Sequence, residues 1–127
     1  TYGDLMDVVS ALITDPGSRQ AVLPIWFPED TLSNGVRKPC SLFYHFLPQG
    51  DRLSLHYSIR SCDLYRHFKN DVYFALRLLE FVVTQLAASG VHFKPSYFMM
   101  NIGSLHLFDA DRGKVPQLDQ LLRSYGK

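Results

Sequence analysis

The stretch CSLFYHFLPQGDRLSLHYSIRSCD (residues 40–63) decides the fold. Aromatic and aliphatic residues run on both sides of Pro48-Gln49-Gly50-Asp51, so it reads as two strands joined at those four residues. Such a pair is the expected antiparallel centre of a sheet. The stretch opens on a cysteine directly behind Pro39 and closes on Arg60-Ser61-Cys62-Asp63. Cys40 is therefore either a small buried hydrophobe or a nucleophile at the lip of a strand.

Outward from this pair, YGDLMDVVSALITDPGSR (residues 2–19) places Leu5, Val8 or Val9, Leu12 and Ile13 at helical spacing and ends at Asp15-Pro16-Gly17. RQAVLPIWF (19–27) leans to strand, and PEDTLSNGVRKP (28–39) reads as a loop rich in breakers. From Asp71 to Ala88, Val72, Ala75, Leu76, Leu79, Val82, Val83 and Leu86 mark a long, largely buried helix with Gly90 as its cap. SYFMMNIGSLHLF (96–108) reads as another strand and VPQLDQLLRSYG (115–126) as a short terminal helix. The expected class is α+β, a mixed or antiparallel sheet packed with the long helix.

The 127 residues, 46% hydrophobic, suffice for one modest core, either a single domain or a piece of a larger one. The first residue is Thr1 and an amphipathic pattern starts at once, so upstream sequence is expected to be missing. The net charge is +1 with both signs interspersed, which argues against nucleic acid or an anionic membrane as main partner. No stretch approaches the roughly 18 apolar residues of a membrane span, and no leader opens the chain. The expectation is a soluble, cytoplasmic protein. Two cysteines are too few for a disulfide framework, and no spacing suggests zinc, so no metal is expected.

Four features lie on or beside the expected sheet: Arg19 after the Asp-Pro-Gly-Ser turn, Cys40, the Arg60–Asp63 cluster, and His106 within GSLHLF. Taken singly, each has a bland reading. A lone cysteine is usually packing, an arginine at a strand end a solvated charge, and a single histidine structural.

Their order and spacing change that. Arg19 and Trp26 are seven apart, Cys40 and Arg60 twenty, and Arg60 and Asp71 eleven. DPGSR followed by W, then PC, RSCD and G..H in this sequence resemble the thymidylate synthase family, from about Tyr2 to Phe108. The resemblance implies a thiol that adds to carbon 6 of a pyrimidine nucleotide, making carbon 5 able to attack the one-carbon unit of 5,10-methylenetetrahydrofolate. It makes Cys40 that nucleophile and Arg60 and Ser61 phosphate ligands. Arg19 becomes an arginine reaching across a two-fold dimer to the partner's phosphate. Asp63 falls on the folate side of the site and His106 at the sugar hydroxyl, while Cys62 reads as packing.

Asp71 departs from the family pattern: it stands where thymidylate synthases carry an asparagine that reads uracil. A carboxylate accepts from the cytosine 4-amino group and, if protonated, donates to the ring nitrogen, so Asp71 favours cytosine and resembles the cytidylate hydroxymethylases. A register one residue away would use Asn70 and restore uracil, and a third reading makes Asp71 a helix N-cap. Ile59 replaces a glutamine, Ser41 a histidine, Ser104 an aspartate and Phe108 a sugar-holding tyrosine, and LYRHFKN (64–70) lacks the family's Leu-Gly-x-Pro-Phe pattern. The family's N-terminal half has no counterpart before Tyr2. Residues 1–127 thus correspond to the C-terminal catalytic portion of the domain, as a fragment or as a reduced homologue.

The leading expectation is a dimeric cytidylate (CMP or dCMP) hydroxymethylase using methylenetetrahydrofolate. Thymidylate synthase proper and a non-catalytic nucleotide-binding or dimerisation module are the alternatives.

Overall fold

The computed structural model describes residues 4–32, 34–115, 120, 123 and 124. Helix α1 (Leu5–Thr14) starts where Asp4 accepts the N–H groups of Met6 and Asp7 and the Asp7 carboxylate accepts the Asp4 N–H. This reciprocal cap satisfies amides that have no partner inside the helix. Val8, Val9 and Leu12 face the core.

Strand β1 is shorter than the expected run, Val22–Pro24 alone. The expected loop 28–39 begins with a short helix, α2 (Pro28–Leu32). Proline reads as a breaker in sequence, yet at the first helical position its missing N–H costs nothing, and Asp30 accepts the Phe27 N–H at 2.8 Å.

Strands β2 (Ser41–Gln49) and β3 (Arg52–Ile59) pair antiparallel, Tyr44 opposite Tyr57 and Phe46 opposite Leu55. Their connection is tighter than expected. Gln49 pairs with Arg52, so Pro48 and Gln49 belong to β2 and only Gly50-Asp51 turn. Gly50 has φ +60 while, among the described residues, no non-glycine residue has a positive φ, so Asp51 does not, the pattern of a II′-type hairpin turn.

The dipeptide strand β4 (Cys62–Asp63) precedes helix α3 (Phe68–Ala88), which begins three residues before Asp71. Only one stripe of α3 is buried: Ala75, Leu78, Leu79, Val82 and Leu86. Leu76, expected inside, is exposed together with Tyr73, Phe74 and Phe81. The 3.6-residue repeat sends these side chains away from the sheet, so the expectation of a largely buried helix is corrected to one buried face. The helix ends as expected at Gly90, whose φ is +85. There Gly90 N–H donates to the Ala87 carbonyl and Val91 N–H to Leu86, the paired bonds of a left-handed cap.

The expected final strand divides at Gly103-Ser104 into β5 (Lys94–Ile102) and β6 (Leu105–His106). β5 joins β3 in parallel, giving the order β1-β2-β3-β5, and β6 pairs in parallel with β4. A 3₁₀ turn (Asp109–Lys114) follows. The short helix expected at 115–126 falls almost wholly outside the described residues.

The architecture is α+β, with a mixed four-stranded sheet. Tyr44, Phe46, Leu53, Leu55, Tyr57 and Ile59 form its inner face against α1 and α3. Period-two alternation puts Phe43, His45, His56 and Met99 on the outer face. Among the described residues, no helix is long and apolar enough to cross a membrane.

Candidate active site

Antiparallel pairing brings the start of β2 to the end of β3, so Cys40 and Arg60, twenty apart in sequence, become neighbours. The Arg60 N–H donates to the Cys40 carbonyl at 2.9 Å. The guanidinium also clamps the segment ahead of Cys40, Nε donating to the Pro39 carbonyl at 2.8 Å and Nη2 to Lys38 at 3.0 Å, with the Trp26 ring 5.9 Å away. A guanidinium has five N–H groups, so donors remain for an anion.

The parallel β4–β6 pair sets Asp63 beside His106, and Ser61 Oγ lies 3.4 Å from His106 Nδ1. Gly103 is needed at this crossing, because a Cβ there would sit 2.7 Å from the Arg60 carbonyl oxygen. Asp63 is buried; its Oδ1 accepts the N–H groups of Tyr65 (2.9 Å) and Arg66 (2.6 Å). Its Oδ2 is buried without a partner.

Asp71 sits inside the first turn of α3, its N–H donating to the His67 carbonyl. The N-cap position belongs to His67, so the N-cap reading of Asp71 does not hold. Asp71 Oδ2 lies 3.4 Å from the Cys62 thiol. Burial, then the Asp71 carboxylate beside it, push that thiol up to about 12, which keeps it protonated. Cys62 is buried as expected of packing, but it also has a polar partner. Below Ser41, its Oγ lies 2.6 Å from Tyr57 Oη, and Tyr57 stacks on Tyr44 at 4.3 Å. Burial raises both phenols, so they remain neutral hydroxyls.

Cys40, Arg60, Ser61, Asp63, Asp71 and His106 all line one cavity of about 360 Å³. Ser41, Ile59, Cys62 and Phe108 line it too, with Arg37 and His67. The last two escaped the sequence reading. Arg37 stands three residues before Cys40 in what reads as plain loop, and His67 lies in a segment that departs from the family pattern. Asn70 is exposed and is not among the lining residues. Arg19 is absent from the cavity as well. It precedes β1, and its carbonyl lies 3.0 Å from Nε2 of His45, on the outer face of the sheet. Among the described residues, no group of three or more His, Cys, Asp or Glu side chains is disposed to hold a metal ion.

Fold and cavity together define an α+β domain that sets two thiols, two arginines and two carboxylates at one cleft. The chain belongs to the thymidylate synthase family, whose profile, described as thymidylate synthase, matches residues 1–125. The thymidylate synthase of Listeria monocytogenes (serotype 4a) is 28% identical over 110 residues, 86% of this chain and 33% of the relative. That of Mycoplasma genitalium is 27% identical over 106 residues, covering 83% and 34%. Among solved structures, thermostable thymidylate synthase A from Bacillus subtilis superposes with a TM-score of 0.75 at 18% identity, over 88% of this chain and 38% of its own. Thymidylate synthase from T4 phage gives 0.72 at 19%, over 93% and 38%. The chain thus spans about a third of the length of the curated relatives it matches.

Proposed function

We propose that this chain is the C-terminal catalytic portion of a folate-dependent cytidylate hydroxymethylase, acting at carbon 5 of CMP or dCMP. The observation that carries the reading is the presence of Asp71, not Asn70, in the cavity that holds Cys40. Cys40 is the nucleophile: its sulfur forms a bond to carbon 6 of the pyrimidine, and the electron pair of the 5,6 double bond becomes available at carbon 5. Arg60 and Ser61 hold the phosphate, with Arg37 adding positive charge to the same cleft. His106, paired with Ser61, faces the sugar, and Asp71 accepts from the cytosine 4-amino group.

Methylenetetrahydrofolate, when bound, supplies the one-carbon unit. Asp63 fits it, because a buried carboxylate oxygen with no partner suits a heterocycle rich in N–H donors. A reducing, cytoplasmic setting, which keeps a thiol nucleophile free, belongs to the same reading.

The working unit is a homodimer with Arg19 acting in trans. Supporting this, Arg19 stands outside its own cavity and beside the outer sheet face, where Phe43, Tyr97 and Met99 are exposed. A second copy seated there would carry Arg19 across.

Thymidylate synthase proper is the second reading, favoured by the names of the relatives. Paired binding of cytidylate and uridylate to wild type and Asp71→Asn separates the two. A carboxylate facing the 4-carbonyl of uracil sets acceptor against acceptor, a mismatch of about 1–3 kcal/mol, so cytidylate should bind roughly ten- to a hundredfold more tightly. Asp71→Asn should move the preference toward uridylate. A wild-type preference for uridylate, or an unchanged ratio in the variant, transfers support to thymidylate synthase.

A further inference from the structure

We infer that Cys62 is a positioning residue for base selection: its thiol donates to Oδ2 of Asp71 and thereby turns the carboxylate so that Oδ1 is offered to the base. The inference rests on the proposed role of Asp71 and adds the group that orients it. Cys62 and Asp71 line the same cavity, and Sγ lies 3.4 Å from Oδ2. The other acceptor within reach of the thiol, the Asp63 carbonyl, is more distant at 3.9 Å. Cys62 is 2% exposed, and its backbone is pinned in β4 by the Cys62 N–H bond to the Ser104 carbonyl at 2.9 Å, so the sulfur is fixed in place.

A thiol has one proton and can satisfy one oxygen. The proton is retained, since burial and the neighbouring carboxylate raise this thiol far above neutrality. A carboxylate without that contact is two-fold about its terminal torsion, which is broad, and presents either oxygen at varying angles. With it, one oxygen is occupied and the other has a defined direction.

The same donor explains how one position reads two bases. With asparagine at position 71, the thiol holds the amide oxygen and turns the NH₂ into the cavity, where it donates to a 4-carbonyl. Cys62 thus sets the polarity that residue 71 presents in either case.

The experiment measures binding of cytidine and uridine 5′-monophosphates to the whole chain as wild type, Cys62→Ala, Cys62→Ser and Asp71→Asn, with thermal unfolding of each. Cys62→Ala should lower the cytidylate-to-uridylate ratio roughly three- to tenfold, the net worth of one ordinary hydrogen bond, since a thiol is a weak donor. Cys62→Ser keeps a donor and should restore the ratio to within about twofold of wild type. A merely structural role would lower stability without touching the ratio. Should Cys62→Ala not fold, the S–H stretching band of wild type, assigned by difference against Cys62→Ser, reads the bond directly: it should be shifted from the free-thiol position and return there in Asp71→Ala. An unshifted band, or an unchanged ratio in Cys62→Ala while Asp71→Asn reverses preference, overturns the inference and leaves the reading of Asp71 intact. A wild type without preference for cytidylate overturns both.

Discussion

Cys40 acquires its meaning from what surrounds it. Behind a proline at a strand start it is ambiguous in sequence, but in the fold Arg60 binds its carbonyl and clamps the two residues before it. The proposed nucleophilic role requires the sulfur to be held at a fixed distance from the atom it attacks, and three bonds from Arg60 fix the backbone that carries it. Cys40→Ala should therefore abolish the covalent adduct with a 5-fluorinated pyrimidine nucleotide, read by intact-protein mass spectrometry. Equilibrium nucleotide binding should survive, because Arg60 and Ser61 are untouched. An adduct persisting in the alanine variant would remove Cys40 from the chemistry.

At the scale of elements, the short β4–β6 ladder sets the site. Gly103 lets β5 cross the backbone of Arg60. Gly103→Ala would press a methyl group against a main-chain carbonyl that cannot rotate away, at a cost of about 1–3 kcal/mol. Denaturant unfolding should register that loss, and nucleotide affinity should fall with it as Arg60 and Ser61 shift. The 3₁₀ turn is anchored beside this ladder by buried Asp111, which accepts from Arg66 Nε and, at 3.0 Å, from Lys114 Nζ. The Arg66 bond and then the Lys114 bond hold the Asp111 carboxyl below its ordinary range. Its stabilisation is therefore complete above the ordinary carboxylate value of about 3.9 and is lost as pH falls through the lower folded value, where the unfolded chain already holds the proton. Midpoint temperatures measured across the acid range should decline less steeply for Asp111→Asn. Parallel curves for the two proteins would exclude the pair as a source of acid sensitivity.

For the whole molecule, the question is whether one chain completes a site. Arg19 lies away from the cavity, and in the proposed homodimer two defective copies should repair each other. Mixing Arg19→Ala with Cys40→Ala chains should produce heterodimers in which one cavity has both residues, and adduct formation with a 5-fluorinated nucleotide should reappear. Confirmed subunit exchange without recovery would place Arg19 outside the mechanism. The extended outer face of the sheet, with Phe43, Tyr97 and Met99 exposed around His45 and His56, is where such pairing would be felt.

Periodicity and turn chemistry are local, and what depends on them was legible in the sequence: α1 and its stop, the β2–β3 pair, the Gly90 cap, and the order of Cys40, Arg60, Asp63, Asp71 and His106. Boundaries that hinge on neighbours were not. Pro28 opens a helix, Pro48 sits inside a strand, and Leu76 faces outward because only packing decides which stripe of a helix meets a sheet. Contacts between distant residues belong to the tertiary structure alone. The parallel joining of β5 to β3, the thiol of Cys62 against Asp71, the unpartnered oxygen of Asp63 and the exclusion of Arg19 from the cavity all follow from register between strands and the seat of α3. Side-chain spacing along a chain carries the period of an element, whereas the distance between two elements is set by the shapes that fill the space between them.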